Sequence, residues 1–192
     1  SDRVELDGKI LQAESKNVYI MLNKPEKVMS TSSDPEGRPT VTQLIDLPYR
    51  LYPVGRLDYN TSGLILLTND GDAAYRLTHP KYEIEKEYLA VIKGEIDRRD
   101  ILKLERGVQI EETITTAPAK VLVTGGTQHT VTLSITIHEG RNREVRKMLE
   151  AIDKELLSLM RIRIGNINLG KLSSGAYREL NSTELAYINS LK

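Results

Sequence analysis

Tyr52-Pro53-Val54-Gly55-Arg56-Leu57-Asp58-Tyr59-Asn60-Thr61-Ser62-Gly63-Leu64-Ile65-Leu66-Leu67-Thr68-Asn69-Asp70-Gly71 sets a polar loop, Tyr59 to Gly63, between two apolar segments. Leu64 to Thr68 reads as a strand covered on both faces, because nothing in the run alternates with a polar residue. In extended chain, residues i and i+2 point to the same side. Arg56 and Asp58 are therefore expected to face one cleft while Leu57 anchors the other way. A carboxylate and a guanidinium fixed on a loop between strands make a place for chemistry. Read alone, the same two residues also describe a surface ion pair at a strand end.

Outward from this stretch the chain alternates strands and helices. Val18-Tyr19-Ile20-Met21-Leu22 is a strand closed by Asn23-Lys24-Pro25, with Lys24 either a phosphate contact or a solvated strand-end lysine. Thr40-Val41-Thr42-Gln43 opens a short helix through a capping box. Asp72 is expected to cap a helix running to Thr78, stopped by His79-Pro80. Tyr82 to Lys93 reads as one long strand with Ile84, Lys86, Tyr88, Ala90 and Ile92 on a common face. Asp97 caps a helix that Gly107 ends. Ala117 to Val123 and His129 to His138 form a hairpin across Thr124-Gly125-Gly126-Thr127, with Val131, Leu133, Ile135 and Ile137 inward and the threonines and Ser134 outward. After Glu139-Gly140-Arg141-Asn142, the residues Val145, Met148, Leu149 and Ile152 make a helical stripe. Leu157 to Ile164 is a strand with Leu159, Arg161 and Arg163 on one side. Asn181-Ser182-Thr183-Glu184 caps a last helix.

At 192 residues, 39% hydrophobic and 28% charged, the chain is of ordinary globular composition. The absence of cysteine excludes disulfides and thiol nucleophiles and makes a zinc site unexpected. No apolar run approaches the ~18 residues of a membrane span, and the start is no signal peptide, so a soluble, cytoplasmic protein is expected. The net charge is zero, but Arg141, Arg143, Arg146, Lys147, Arg161 and Arg163 fall close together and allow one basic face. His79, His129 and His138 share no spacing, and no metal site is inferred from them.

Four motifs occur in order: Leu22-Asn23-Lys24-Pro25; the Gly55-Arg56-Leu57-Asp58 run with its Thr61-Ser62-Gly63-Leu64 continuation; Lys86-Glu87-Tyr88; and Glu139-Gly140-Arg141-Asn142-Arg143-Glu144-Val145-Arg146-Lys147-Met148. Over about residues 18 to 190 the chain resembles the RsuA/RluB-type pseudouridine synthases, which modify ribosomal RNA. The resemblance implies an α+β fold, two lobes around a mixed, mainly antiparallel sheet with a central active-site cleft. It also implies a catalytic domain over residues 18–192, with residues 1–17 as the remnant or linker of an N-terminal RNA-binding domain.

What the resemblance implies for the site is specific. Asp58 would be the catalytic carboxylate, acting as nucleophile or base, and Arg146 the cation that keeps it charged. Tyr88 would pack on the uracil, and Leu159 would wall it. Arg56 would enter the space left by a flipped base. Lys86, Arg141, Arg143, Arg161 and Arg163 are assigned to phosphate. Read alone, Tyr88 and Leu159 are also ordinary core residues, and Arg146 an ordinary solvated helix arginine. The reaction needs no cofactor, and the expected partner of a monomeric enzyme is structured ribosomal RNA, of the large subunit, with a flipped uridine. The alternatives are a small-subunit enzyme and a non-catalytic RNA-binding assembly factor. A sugar-cleaving hydrolase would need a second carboxylate, and none stands out beside Asp58.

Overall fold

The computed structural model describes residues 16–191, together with strand positions 5–6 and 9–10. Glu5–Leu6 (β1) and Lys9–Ile10 (β2) form an antiparallel pair. Otherwise the appendage expected over residues 1–17 lies outside the described residues, apart from residues 16 and 17.

The apolar runs become strands and the periodic segments helices. In chain order these are β3 (Tyr19–Lys24), β4 (Tyr52–Val54), β5 (Ser62–Thr68), α1 (Gly71–Thr78), β6 (Lys86–Lys93), α2 (Arg98–Arg106), β7 (Gln109–Glu111), β8 (Ile114–Thr115), β9 (Lys120–Thr127), β10 (Thr130–Ile137), α3 (Glu144–Glu150), β11 (Leu156–Ile164), β12 (Ile167–Asn168), β13 (Tyr177–Glu179) and α4 (Ser182–Ser190). A nine-stranded sheet runs β13-β3-β5-β11-β6-β10-β9, with β4 also paired to β5 and β12 to β11. Its ladders are antiparallel, except where β5 meets β11 in parallel through Met160–Ser62 and Arg161–Gly63. Two antiparallel halves are thus joined at a short parallel seam. Among the described residues no helix is long and apolar enough to cross a membrane.

Strand alternation feeds two cores. Ile20, Leu22, Ile65, Leu67, Tyr88, Ala90, Leu133 and Ile135 pack with Leu104 of α2 and Val145, Met148 and Leu149 of α3. Met21, Leu64, Leu66 and Ile164 pack with Ala73 and Leu77 of α1 and Ile188 of α4. Alternate residues of β5 supply both cores, which is why that run contains no polar interruption.

Several local expectations shift. The cap of α1 is Asp70, which accepts from the Ala73 N–H at 3.0 Å, while Asp72 lies within the first turn. β6 starts at Lys86 because Pro80–Tyr82 forms a 3₁₀ turn and Glu83 takes φ 47°. The β9–β10 hairpin turns at Gln128-His129, and Gly125 and Gly126 stay in the ladder beside a register shift at Thr124. Ser134 and Thr136 are buried, with the Ser134 hydroxyl donating to Glu87 at 2.7 Å. A second register shift in β11, between Arg161 and Arg163, sends Arg163 to the opposite face from Leu159 and Arg161.

The seam explains one motif residue directly. Gly63 has φ +104°, and a Cβ there would lie 2.7 Å from the Arg161 amide nitrogen and closer still to the Arg161 carbonyl oxygen. Backbone cannot yield as a side chain tip can, and the conformation is itself costly for an L residue. Gly63→Ala is expected to destabilise the fold by about 3 kcal/mol or more, read as a lowered midpoint in urea unfolding.

Candidate active site

Asp58 is delivered to its place by backbone, not by its own side chain. The Ser30 hydroxyl donates to the Leu57 carbonyl at 2.8 Å and accepts from the Leu57 N–H at 3.0 Å. Lys27 N–H donates to the Tyr59 carbonyl at 2.7 Å, and Thr61 N–H closes a turn onto the Asp58 carbonyl at 3.0 Å. With Leu57 buried in the core, the residues on either side of Asp58 are fixed. Ser30→Ala removes both bonds to Leu57 and is expected to cost about 1–2 kcal/mol of stability, with a larger proportional loss of activity than of RNA affinity in a single-turnover assay.

The side chains around Asp58 line a cleft open to solvent. The Asp58 side chain is 28% exposed; Arg146 Nε stands 3.5 Å from its Oδ2, and Arg143 Nη1 3.8 Å from the same oxygen. Arg146 is aimed by the loop itself, since its Nη2 donates to the Asn60 carbonyl at 2.6 Å and to Thr61 Oγ1 at 3.1 Å. Burial, and then the neighbouring Arg143 charge, lower the pKa of Arg146, and Asp58 works in the opposite direction. At 3.5 Å the Nε contact is ionic, without a hydrogen bond. The tightening of such contacts when substrate binds is usual.

Tyr88, Leu159, Val145, Ile137 and Ile164 give the cleft apolar walls. Arg56 is exposed at the mouth, lining both this cleft and a neighbouring groove bounded by Met29, Ser33 and Tyr59. Arg141 and Arg143 are exposed on the rim, Arg141 with one Nη on Glu139 at 2.9 Å. The structure therefore brings together Asp58, Tyr88, Arg146, Arg56, Leu159, Arg141 and Arg143, with Lys86 and Arg161 also in the cleft wall.

Three of the expected phosphate ligands are placed otherwise. Lys86 Nζ is tied to the carbonyls of Ile84 (2.9 Å), His138 (3.4 Å) and Glu139 (3.1 Å), and burial lowers its pKa to about 8. Arg163 is shared between Glu87 at 2.7 Å and Glu85 at 3.3 Å on the far face of the sheet. Arg161 is buried, its Nε donating to the Leu64 carbonyl at 2.8 Å. None of the three presents a free cation to a passing backbone phosphate. Lys24 is neither solvated nor a phosphate contact: it is fully buried, donating to the Pro25 and Val28 carbonyls at 3.0 and 2.9 Å.

Sequence reasoning missed Ser30, Thr61 and Glu144. Thr61 lay inside the quoted loop and carried a usable signal, as a hydroxyl three residues after Asp58. Ser30 reaches Leu57 across 27 positions, which no local pattern encodes. Glu144 is a buried carboxylate in the cleft wall, accepting from the Arg141 N–H at 2.8 Å, and burial raises its pKa.

Residues 18–151 match the family described as RNA pseudouridylate synthase. The chain is 46% identical to the ribosomal large subunit pseudouridine synthase B of Bacillus subtilis (strain 168), over 100% of this chain and 79% of that one. It is 43% identical to an uncharacterised RNA pseudouridine synthase of Aquifex aeolicus (strain VF5), over 97% of this chain and 75% of that one. A crystal structure of a pseudouridylate synthase superposes with a TM-score of 0.81 at 32% identity, covering 93% of this chain and 76% of that one. With its sheet, cleft and sequence in agreement, the chain is an enzyme of the RNA pseudouridylate synthase family.

Proposed function

We propose that this enzyme isomerises a uridine of large-subunit ribosomal RNA to pseudouridine, with Asp58 as its catalytic carboxylate and without a cofactor. The observation that carries this reading is the Arg146 guanidinium 3.5 Å from the Asp58 carboxylate, inside a cleft walled by Tyr88 and Leu159. The choice of RNA follows the Bacillus relative's name, ribosomal large subunit pseudouridine synthase B.

Each residue has a task in that reaction. Asp58, as nucleophile or base, meets the ribose while the bond from its C1′ to N1 of the base breaks. Arg146, held by the Asn60 carbonyl and the Thr61 hydroxyl, sets its guanidinium beside the Asp58 carboxylate as a fixed opposite charge. Tyr88 and Leu159 hold the uracil ring as it turns to present carbon 5. Arg56, flat and unburied at the mouth, suits the gap a departing base leaves in its helix. Arg141 and Arg143 on the rim take the flanking phosphates.

A non-catalytic RNA-binding protein would have no use for a guanidinium aimed at Asp58 by Asn60 and Thr61. A hydrolase would need a second acid, and Glu144, the other carboxylate in the cleft wall, is occupied by the Arg141 N–H. The experiment is incubation with large- and small-subunit ribosomal RNA carrying tritium at carbon 5 of uridine. The expected result is tritium released to water with pseudouridine formed in the large-subunit RNA. Release of free uracil would mean hydrolysis, and reaction only on the small subunit would reassign the substrate.

A further inference from the structure

Arg161 stands in β11 directly across from Tyr88 of β6, so both side chains leave the same face of the sheet. Both line the cleft that holds Asp58. Arg161 is only 3% exposed. Its Nε is held by the Leu64 carbonyl at 2.8 Å, which orients the guanidinium, while Nη2 is buried and has no hydrogen-bond partner. A buried charged donor left unpaired is among the costliest arrangements a protein can keep.

The surroundings add to that cost. Asp58 is engaged with Arg143 and Arg146, and Glu144 with the Arg141 N–H. Lys24 and Lys86 lie close enough for the Arg161 charge to add to the effect of burial, and their pKa values fall to about 8. Three cations thus gather behind the cleft with their carbonyl partners, and one of them has a donor to spare. A fold keeps such an excess where negative charge arrives during turnover.

We propose that Arg161 is a further catalytic residue, donating through its Nη groups to a ring carbonyl oxygen of the uracil and holding the negative charge the base acquires when it detaches. The proposal rests on the uridine isomerisation described above. When the N1–C1′ bond breaks, its electron pair stays on the base, spread over N1, O2 and O4. C1′ is meanwhile satisfied by the Asp58 carboxylate, or by loss of the C2′ proton to it. The new C5–C1′ bond uses a pair from the base, as the Asp58–C1′ bond breaks and the carboxylate leaves, or as Asp58 returns its proton to C2′; the C5 proton then leaves to water and N1 takes up a proton. Atoms and charge balance, and no oxidant or reductant is needed. The charge on the base exists only between the two bonds, so a fixed cation there favours the transition state over the bound substrate.

The test uses the whole chain, single-turnover tritium release, RNA affinity and thermal unfolding for the wild type, Arg161→Met, Arg161→Lys and Asp58→Asn. Arg161→Met is expected to slow release about 10²–10³-fold with RNA affinity unchanged. Arg161→Lys, which keeps the charge and loses the fork, falls between. Substrates with sulfur in place of O2 or of O4, a weaker acceptor, should slow the wild type for one of the two and leave Arg161→Met indifferent to that exchange. A purely structural role would not produce that difference. Wild-type speed in Arg161→Met, or an equal sulfur penalty in wild type and variant, overturns the proposal. Should Arg161→Met fail to fold, the sulfur comparison between wild type and Arg161→Lys decides: a smaller penalty in Arg161→Lys supports the role, and equal penalties reject it. Failure of the underlying reading looks different, as no release by the wild type or full release by Asp58→Asn.

Discussion

Asp58→Asn is expected to abolish tritium release from carbon-5-labelled uridine, by at least about 10⁴-fold, while RNA affinity and thermal stability stay close to wild type. The amide is nearly isosteric, so the turn closed by Thr61 N–H on the Asp58 carbonyl and the Ser30 clamp on Leu57 persist. What is lost is the negative charge and the lone pairs of a carboxylate. An amide cannot serve as nucleophile toward C1′, nor as base toward C2′, so the loss is expected by either route. Relief of the two arginines from their shared carboxylate makes a small gain in RNA affinity as acceptable as no change. Equal loss of binding and turnover would instead make Asp58 part of the RNA-binding surface.

Arg146→Met is the second large effect, expected at about 10²–10³-fold in single-turnover rate. Arg146 is the nearer of the two guanidinium groups at Asp58 Oδ2, and the less exposed one. The methionine removes that charge and also frees the Asn60 carbonyl and the Thr61 hydroxyl, which Nη2 had joined. Arg143, 3.8 Å away and half exposed, remains as a weaker substitute, so the loss should fall short of that in Asp58→Asn. RNA affinity should fall much less than the rate, because Arg146 is turned inward while Arg141 and Arg143 occupy the rim. Parallel losses in affinity and rate would identify it as a phosphate contact.

How far the sequence led can be seen residue by residue. The uninterrupted Leu64–Leu67 run announced a strand covered on both faces, and β5 supplies both cores. The spacing of Val145, Met148 and Leu149 announced the buried side of α3. The i, i+2 relation placed Arg56 and Asp58 on one cleft, although the backbone there is loop and not strand. Periodicity failed wherever a single residue broke the ladder. The shift between Arg161 and Arg163 turned one arginine into the cleft wall and the other toward Glu85 and Glu87, which a strict alternation cannot express. The shift at Thr124 absorbed Gly125 and Gly126 into β9 and moved the turn to Gln128-His129.

The cations show the same boundary from another side. Lys86, Arg161 and Arg163 read as ligands for phosphate, and Lys24 as either that or a solvated strand-end lysine, because basic residues are ordinarily solvated. Lys24 turns back onto the nearby carbonyls of Pro25 and Val28, whereas the carbonyls of His138, Glu139 and Leu64 and the carboxylates of Glu85 and Glu87 become neighbours of Lys86, Arg161 and Arg163 only when the sheet is assembled. The pairing of Arg146 with Asp58 came from resemblance to a family motif. Its physical basis, a guanidinium gripped by Asn60 and Thr61, is visible only in three dimensions.

Isomerisation by this route requires a uridine to leave its helix and meet Asp58. The most direct measurement is a crystal structure of Asp58→Asn bound to a large-subunit RNA fragment that the wild type modifies. The predicted result is one uracil between Tyr88 and Leu159 with C1′ of its ribose about 3–3.5 Å from the side chain at position 58, and Arg56 in the gap it left. A fully stacked RNA helix with every uridine paired and the cleft empty would contradict it.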